Sequence, residues 1–499
     1  MPPPSDLLMN YRFISRLLSL ILAALAAAFL LCLGIALLHR SDPGESAAIV
    51  GFQASTAVAL ILAAVFYLLS RGAEPRILRK EALCLVGIGW ILASLVGALP
   101  YVLILEDCRV SDAVFESASG VTTTGASVFT GFEKWPRSLL FWRQMSQWIG
   151  GIGVVVFFVA ILGFLGAGGK ILFTNESSAK TADFHQGRVQ SVVARLFFLY
   201  LGLSAACCAG LLLAGMNLYD AVCHTFTTVS TAGFSTRSES IAAFASPGIE
   251  WVMIVFMILG SISFFFHLLI LRAQWRPARQ NTEVLAYLAI LIFATALTAG
   301  VLFVSGERDG IHDTIRTAAF QVVSIASTSG FGTADFDQWP VFTRALLLAL
   351  MTMGGCAAST AGGAKVIRIV VAAKICVTHV EKSFRSRVVR PVIANGKPLD
   401  PDTRENILIY LTLLALLAIS SIVVFTLLEP GLSLEGSISS VVSCFFNIGP
   451  GFAEVGPTEN YAMVSAPGKI LLSLLMIMGR IELFGILVLF SPLLWKKLS

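Results

Sequence analysis

Four short stretches of this chain are suited to presenting oxygen atoms: Thr122–Ser127 reads TTTGAS, Ser230–Ser235 STAGFS, Ser327–Gly332 STSGFG and Asn447–Phe452 NIGPGF. In each, a glycine follows a short polar run, at Gly125, Gly233, Gly330 and Gly449. A monovalent cation stripped of its water needs several oxygen ligands, and backbone carbonyls supply them without adding charge. Glycine admits the backbone dihedrals that turn carbonyls toward an axis, and it leaves no side chain in the way. The candidate ligand set is Thr124, Gly125, Ala232, Gly233, Ser329, Gly330, Ile448 and Gly449, with Thr123, Thr231, Thr328 and Asn447 beside them. Taken singly, each cluster is also an ordinary surface turn. Four in one register suggest one four-fold site.

The elements that must position these loops are membrane helices. The 499 residues are 56% hydrophobic and 13% charged, with a mean hydropathy of +0.83, too apolar for a soluble domain. Apolar runs near or above the roughly 20 residues of a membrane span occupy Phe13–Leu38, Ala47–Leu69, Leu83–Ile104, Leu139–Leu165, Val192–Gly215, Ile249–Leu271, Val284–Val304, Phe342–Val371, Ile407–Leu428 and Ile470–Leu494. The basic residues Arg71, Arg76, Arg79, Lys80, Arg272, Arg276, Arg279, Lys382, Arg385, Arg387, Arg390 and Lys397 fall in alternate connections. Those connections are expected in the cytoplasm, with both termini. The opposite set carries Glu106, Asp107, Asp112, Glu133, Glu307, Asp309, Asp335, Asp337, Glu454 and Glu459, acidic charges that would concentrate cations at a mouth. The net charge of +5 is therefore a topology signal and implies no nucleic-acid partner. Of the nine cysteines only Cys108 falls in an external connection, which argues against a disulfide framework.

The chain repeats. After an N-terminal helical hairpin at 1–70, four units are expected at 71–165, 166–272, 273–376 and 377–499. Each has an apolar helix, a short amphipathic segment, the glycine loop, a proline, and a second helix whose glycine follows that proline by about 12 to 14 residues. The segments Ser111–Val121, Asp220–Val229, Asp313–Ala326 and Ser437–Phe446 are too short to span. Non-helical backbone at membrane depth is tolerated only where it lines water or packs inside protein. The expected fold is thus an all-α membrane protein with two N-terminal helices and four helix, pore-helix, filter-loop, helix repeats around one pore.

In the third unit, Gly354–Lys365 reads GGCAASTAGGAK. Small residues can mean close helix packing or a helix broken under the loops that plugs the path, so Gly354, Gly355, Gly362, Gly363 and Lys365 are candidate gate residues. Lys365, nearer the cytoplasmic end, is expected to snorkel. Arg480 falls inside the last apolar run, where a charge is costly and functional by default. It is expected to face the pore, because Glu482, two positions along a helix, points elsewhere.

QWIGGIG at Gln147–Gly153, GGCAASTAGGAK, NIGPGF at Asn447 and GRIE at Gly479–Glu482 carry a resemblance. Over essentially its whole length the chain resembles the TrkH/KtrB/HKT superfamily of potassium transporters, specifically the bacterial TrkH branch. The resemblance implies potassium as the transported ion, bound at the eight candidate ligand residues, and no organic cofactor in this chain. It implies a gating intramembrane loop at Gly354–Lys365. It also implies a homodimer in the lipid of a bacterial inner membrane, with a TrkA-like cytoplasmic regulatory subunit that binds nucleotides. A glycine at 125, where some sodium-preferring plant members have serine, implies potassium preference. The rival class is a secondary transporter moving a small solute by alternating access, built from two inverted halves. A membrane-embedded enzyme would need converging His, Asp or Glu inside the spans, and neither His224 nor His267 has a ligand-spaced partner.

Overall fold

The computed structural model describes residues 9–74, 78–162, 186–306, 310–385 and 390–490. Both chain ends, Arg76, Glu307, Asp309, Arg387 and the spans beyond Leu162 and Phe490 lie outside the described residues. Two long apolar helices, α1 (Tyr11–Leu38) and α2 (Glu45–Leu69), pair along their length. The buried Glu45 carboxylate at the head of α2 accepts from the Ser138 backbone N–H at 3.1 Å and ties this hairpin to the first unit.

The four units follow. The first has α3 (Arg79–Gly97), α4 (Leu99–Ile104), the short helix α5 (Val110–Val121) and α6 (Arg137–Leu162). The second has α7 (Gln186–Leu213), the short α8 (Leu218–Val229), α9 (Pro247–Ser261) and α10 (Phe264–Leu271). A small helix α11 (Trp275–Arg279) leads into the third, with α12 (Thr282–Ser305), the short α13 (Ile311–Ala326), α14 (Val341–Met353) and α15 (Val366–Phe384). The strands β1 (Ile393–Ala394) and β2 (Lys397–Pro398) form a tight antiparallel hairpin before the fourth, with α16 (Pro401–Leu428), the short α17 (Leu434–Phe445), α18 (Ala466–Arg480) and α19 (Phe484–Leu487). The expected all-α membrane architecture is present.

Its second helices depart from the apolar runs. Among the described residues six helices are long and apolar enough to cross a membrane, and α9 with α10 makes a seventh only as a pair bent by 99°. Apolarity alone reads Ile249–Leu271, Phe342–Val371 and Ile470–Leu494 as continuous spans. The chain instead breaks at Ile262–Ser263, at Gly354–Lys365 and at Ile481–Leu483. Hydropathy is blind to these breaks because most of the residues in them are small or apolar and the single charges, Lys365 and Glu482, hardly lower the average. After α18 the turn forces positive φ on two non-glycine residues, Glu482 at +56° and Leu483 at +62°, a conformation held only where surrounding packing imposes it.

The units close into a ring. Each second helix packs on the short helix of the next unit: α6 on α8, α9 on α13, α14 on α17, and α18 back on α5. A polar tie marks each junction near the first turn of the second helix. The Tyr219 hydroxyl donates to the Arg137 carbonyl at 2.7 Å, Arg316 pairs with Glu250 at 2.9 Å, Arg344 pairs with Glu435, and Lys469 pairs with Asp112 at 2.8 Å. The last of these joins the fourth unit to the first across 357 positions of sequence. Lys469→Met strands the Asp112 carboxylate and is expected to cost about 1–3 kcal/mol. Thermal denaturation of the detergent-solubilised protein checks this: the midpoint falls in Lys469→Met and partly recovers when Asp112→Asn is added. An unchanged midpoint contradicts ring closure by this pair.

Candidate functional site

Each short helix ends in the same way. The residue past its cap takes a left-handed conformation: Thr123 at φ +55°, Thr231 at +51°, Thr328 at +58° and Asn447 at +58°. The next N–H, from Thr124, Ala232, Ser329 or Ile448, bonds back five residues to Ser119, Thr227, Ser324 or Ser443 at 2.8–2.9 Å. This is the Schellman ending, which satisfies one carbonyl of the last turn. Three of the four left-handed positions hold threonine, a β-branched residue for which that conformation is unfavourable. The following glycine also has positive φ, from +73° at Gly330 to +108° at Gly449.

The four glycines meet. A Cβ built on Gly125 would lie 2.2 Å from the Ala232 carbonyl oxygen, one on Gly233 2.0 Å from that of Ser329, one on Gly330 2.0 Å from that of Ile448, and one on Gly449 2.8 Å from that of Thr124. The contacts run cyclically through the units and return to the first. The structure therefore brings all twelve loop residues named from sequence into one ring, with the carbonyls of Thr124, Ala232, Ser329 and Ile448 each against the glycine of the preceding unit. The helix C-termini add four partial negative charges, each equivalent to roughly half an electron charge.

Glycines in three second helices make this seating possible. A Cβ on Gly150 would lie 2.0 Å from the Val121 carbonyl oxygen, on Gly260 2.9 Å from that of Val229, and on Gly479 1.8 Å from that of Phe445. In each case the oxygen belongs to the last residue of that unit's own short helix. The proline-to-glycine spacing seen in sequence is thus the length of second helix needed to reach this contact.

Directly against the ring lies the non-helical stretch between α14 and α15. The Gly362 N–H donates to Thr328 Oγ1 at 2.7 Å, and the hydroxyls of Thr360 and Thr231 are 3.2 Å apart. Thr360 also donates toward the carbonyls of Val229 and Gly260 at 3.0 and 2.9 Å. The ends of the stretch cross at Gly354 and Gly363, both with positive φ; a Cβ on Gly363 would lie 2.4 Å from the Gly354 Cα. Gly355 packs as tightly on Ala361 and on the Ser261 carbonyl, and the Cys356 N–H donates to that carbonyl at 2.9 Å. The bend between α9 and α10 is the seat for this stretch.

Arg480 reaches the same stretch. Its Nη1 donates to the Thr360 carbonyl at 2.6 Å and its Nη2 to that of Gly150 at 3.5 Å, while Nε finds no acceptor among the described residues. Glu482 does not pair with it; that carboxylate binds Arg368 at 2.6 Å. Arg480 therefore places a cation beside carbonyl oxygens without a carboxylate to neutralise it. Lys365 does not snorkel: it is buried, and its ammonium bonds the Ala361 carbonyl. The expectation fails because the chain folds back under the ring at Gly363 and carries Lys365 inward.

Four functional-looking groups escape a motif reading. Glu283, buried in the first turn of α12, accepts from the N–H groups of Ala357 at 2.7 Å and Ile367 at 3.3 Å and so grips both sides of the stretch. Its neighbour Thr282 exchanges two hydrogen bonds with Asn395 of the β-hairpin. Glu116, Arg143 and Gln147 support the loops of the first two units. A polar pair four residues apart inside the apolar run Leu139–Leu165 was the available signal for the last two. His224 has a supporting role: its ring bonds the Asp220 carbonyl at 2.8 Å and the Ser235 hydroxyl at 2.9 Å.

Two acidic residues in single 3-10 turns between the helices, Glu133 and Glu454, are already engaged. Burial pushes the Glu133 and Glu454 carboxyls up, but hydrogen bonds outweigh it, from Ser238 to Glu133 and from Ser433 to Glu454 among them. Both sit below the ordinary value. Glu106, Asp107 and Glu459 are exposed.

Four like units closed around a ring of backbone carbonyls, with broken helices packed against it, define a multi-pass membrane protein. The model of the TrkH family, described as a cation transport protein, matches residues 51–497. The chain is 32% identical over 496 residues to the Trk system potassium uptake protein TrkH of Salmonella typhimurium, covering 98% of this chain and 100% of that protein. It is 30% identical over 421 residues to the Trk system potassium uptake protein TrkG of Escherichia coli, covering 84% and 86%. The crystal structure of the potassium transporter TrkH from Vibrio parahaemolyticus matches with a TM-score of 0.88 at 30% identity, over 98% of this chain and 100% of that one. The chain belongs to the TrkH family, a family of transporters and not of enzymes.

The close glycine contacts are directly testable. Gly150→Ala and Gly479→Ala each drive a methyl into a short-helix carbonyl and are expected to lower the thermal midpoint strongly or abolish folded yield. Gly300→Ala, in α12 with nothing within 4 Å, is expected to be neutral or to stabilise by about 0.5–1 kcal/mol. Equal behaviour of the three variants contradicts the seating described.

Proposed function

We propose that this protein takes up potassium through the ring at Gly125, Gly233, Gly330 and Gly449, by channel-like conduction. The observation that carries the reading is the cyclic contact of each glycine with the next unit's carbonyl, which gathers four oxygens on one axis at the C-termini of four helices. Oxygens so placed replace hydration water at a cation, and neutral carbonyls favour a weakly hydrated monovalent ion. The names of the relatives, potassium uptake proteins, support potassium as that ion. Four like units in one ring favour a pore over alternating access between two inverted halves.

Gly354, Gly355, Gly362 and Gly363 with Lys365 and Arg480 form the gate. The stretch is non-helical, lies against the ring, and is held by hydrogen bonds that can be exchanged without breaking a helix. Arg480 contributes a fixed positive charge that raises the barrier for a cation and fastens the stretch through Thr360. Glu283 holds the stretch on both sides, at Ala357 and Ile367. A homodimer in a bacterial inner membrane, both termini in the cytoplasm, and a TrkA-like nucleotide-binding regulatory subunit complete the reading. The relatives' description as parts of a Trk system supports such a subunit.

Rubidium-86 uptake into proteoliposomes, competed with potassium or sodium, is the test. Wild type is expected to take up rubidium in a manner blocked by potassium far better than by sodium. Gly125→Ser places a side chain where the Ala232 carbonyl lies and is expected to erode that preference on the order of tenfold, the factor for 1.4 kcal/mol. Arg480→Ala is expected to raise the uptake rate. Absence of cation flux from folded protein, with and without a cytoplasmic regulator, overturns the reading.

A further inference from the structure

The four units are not equivalent in how their loops are supported. Seven and three residues before the glycine of the second helix, the second unit has Met253 and Met257, the third Leu347 and Met351, and the fourth Leu472 and Met476. All six are fully buried apolar side chains. The first unit has Arg143 and Gln147 at those positions, equally buried. Desolvating a guanidinium and an amide is costly unless their hydrogen bonds are met, and here they are met by the glycine loops.

The Gln147 amide straddles Gly233. Its Nε2 donates to the Ala232 carbonyl at 2.9 Å and its Oε1 accepts from the Phe234 N–H at 3.1 Å. One turn earlier, Arg143 Nε pairs with Glu116 at 2.7 Å and Nη1 donates to the Ser235 carbonyl at 3.0 Å. Its guanidinium is sandwiched by Phe132 and Phe234, at 4.2 and 3.5 Å from the ring centroids. Glu116 in turn accepts from the Ser127 hydroxyl at 3.0 Å and the Val128 N–H at 3.1 Å, just past Gly125. One face of α6 therefore braces the loops of two adjacent units. Among the described residues no side chain donates to the corresponding carbonyls of Thr124, Ser329 or Ile448.

We propose that Gln147, supported by Arg143, is a selectivity-positioning residue of the ring. A carbonyl has two lone pairs: Gln147 takes one of Ala232 and leaves the other for the axis. The bond also holds that carbonyl outward. In a snugly fitting ring, oxygens that resist closing on the smaller sodium ion discriminate against it. Among the described residues Ala232 is the one of the four carbonyls of Thr124, Ala232, Ser329 and Ile448 with a side-chain tether against such closure, while in the fourth unit the Tyr461 hydroxyl holds the next carbonyl along, that of Gly449, at 2.9 Å. At the positions matching Arg143 and Gln147 the other three units offer their loops only apolar Met and Leu side chains. This inference rests on the ring being the filter.

Sodium-22 and rubidium-86 fluxes measured on the same proteoliposomes test it, with Gln147→Met giving the first unit the side chain that the other three carry. The sodium-to-rubidium flux ratio is expected to rise roughly fivefold, the factor for one ordinary hydrogen bond, while rubidium flux persists. Met351→Leu, a change at the matching position of the third unit, is expected to leave the ratio alone. A merely structural role would change yield or melting temperature and leave the ratio unmoved. If Gln147→Met does not fold, Gln147→Asn keeps the amide but shortens its reach to one loop contact and is expected to shift the ratio in the same direction. An unchanged ratio in folded Gln147→Met, or in Gln147→Asn where only that variant folds, overturns the brace. If Gly125→Ser raises the ratio in the same preparation, the filter reading survives that failure; if it too leaves the ratio unchanged, the filter reading falls with it.

Discussion

Backbone carbonyls that end a helix inside a membrane have no water to bond, and each one left unsatisfied is expensive. This chain brings the buried ends of four short helices together. The Schellman endings at Thr123, Thr231, Thr328 and Asn447 satisfy one carbonyl of each last turn, and the ring leaves the carbonyls of Thr124, Ala232, Ser329 and Ile448 directed at neighbouring glycines. Close approach is what permits this, and it constrains the rest of the fold. Each second helix must carry glycine or a break where it meets a short helix, so Gly150, Gly260 and Gly479 and the interruption at Gly354 stand at equivalent places.

Buried and half-buried charges follow the same economy. Glu116 with Arg143, Lys469 with Asp112 and Arg368 with Glu482 are paired within 2.8 Å, and Glu283 is satisfied by backbone N–H groups. Arg480 and Lys365 differ: among the described residues their hydrogen bonds go only to carbonyls. Removing one member of a buried pair costs far more than the pair contributes, so the paired charges fix the geometry of the ring and its seat. Arg480 and Lys365, held by carbonyls alone, are the charges that the proposed gate uses on a passing cation.

Much of this was legible in the sequence. Glycine loops in one register, short amphipathic segments and a nearly constant proline-to-glycine spacing are local features, and local features repeat visibly. The broken second helices were not legible at Ile262 and Ile481, because a single polar residue among apolar ones, Ser263 or Glu482, does not mark a break and only packing against the neighbouring unit forces the turn. Lys365 was read as snorkelling because its position along the run was visible while the fold-back at Gly363 was not. Arg143 and Gln147 could have been found: two polar residues one helical turn apart in an apolar run, matched by Met or Leu in every other unit, mark a site where the repeat's symmetry is broken for a reason. Glu283 offered no such contrast, since an acidic residue in a helix's first turn is ordinary.

The central claim is that four backbone carbonyls from four units bind one cation on their common axis. Anomalous diffraction from crystals grown in rubidium or thallium in place of potassium tests it most directly. The account predicts a peak within coordinating distance of the Thr124, Ala232, Ser329 and Ile448 carbonyls, displaced by potassium and weakly by sodium. An ordered ring with no ion in it, in crystals where the same ion is seen bound elsewhere in the protein, would contradict it.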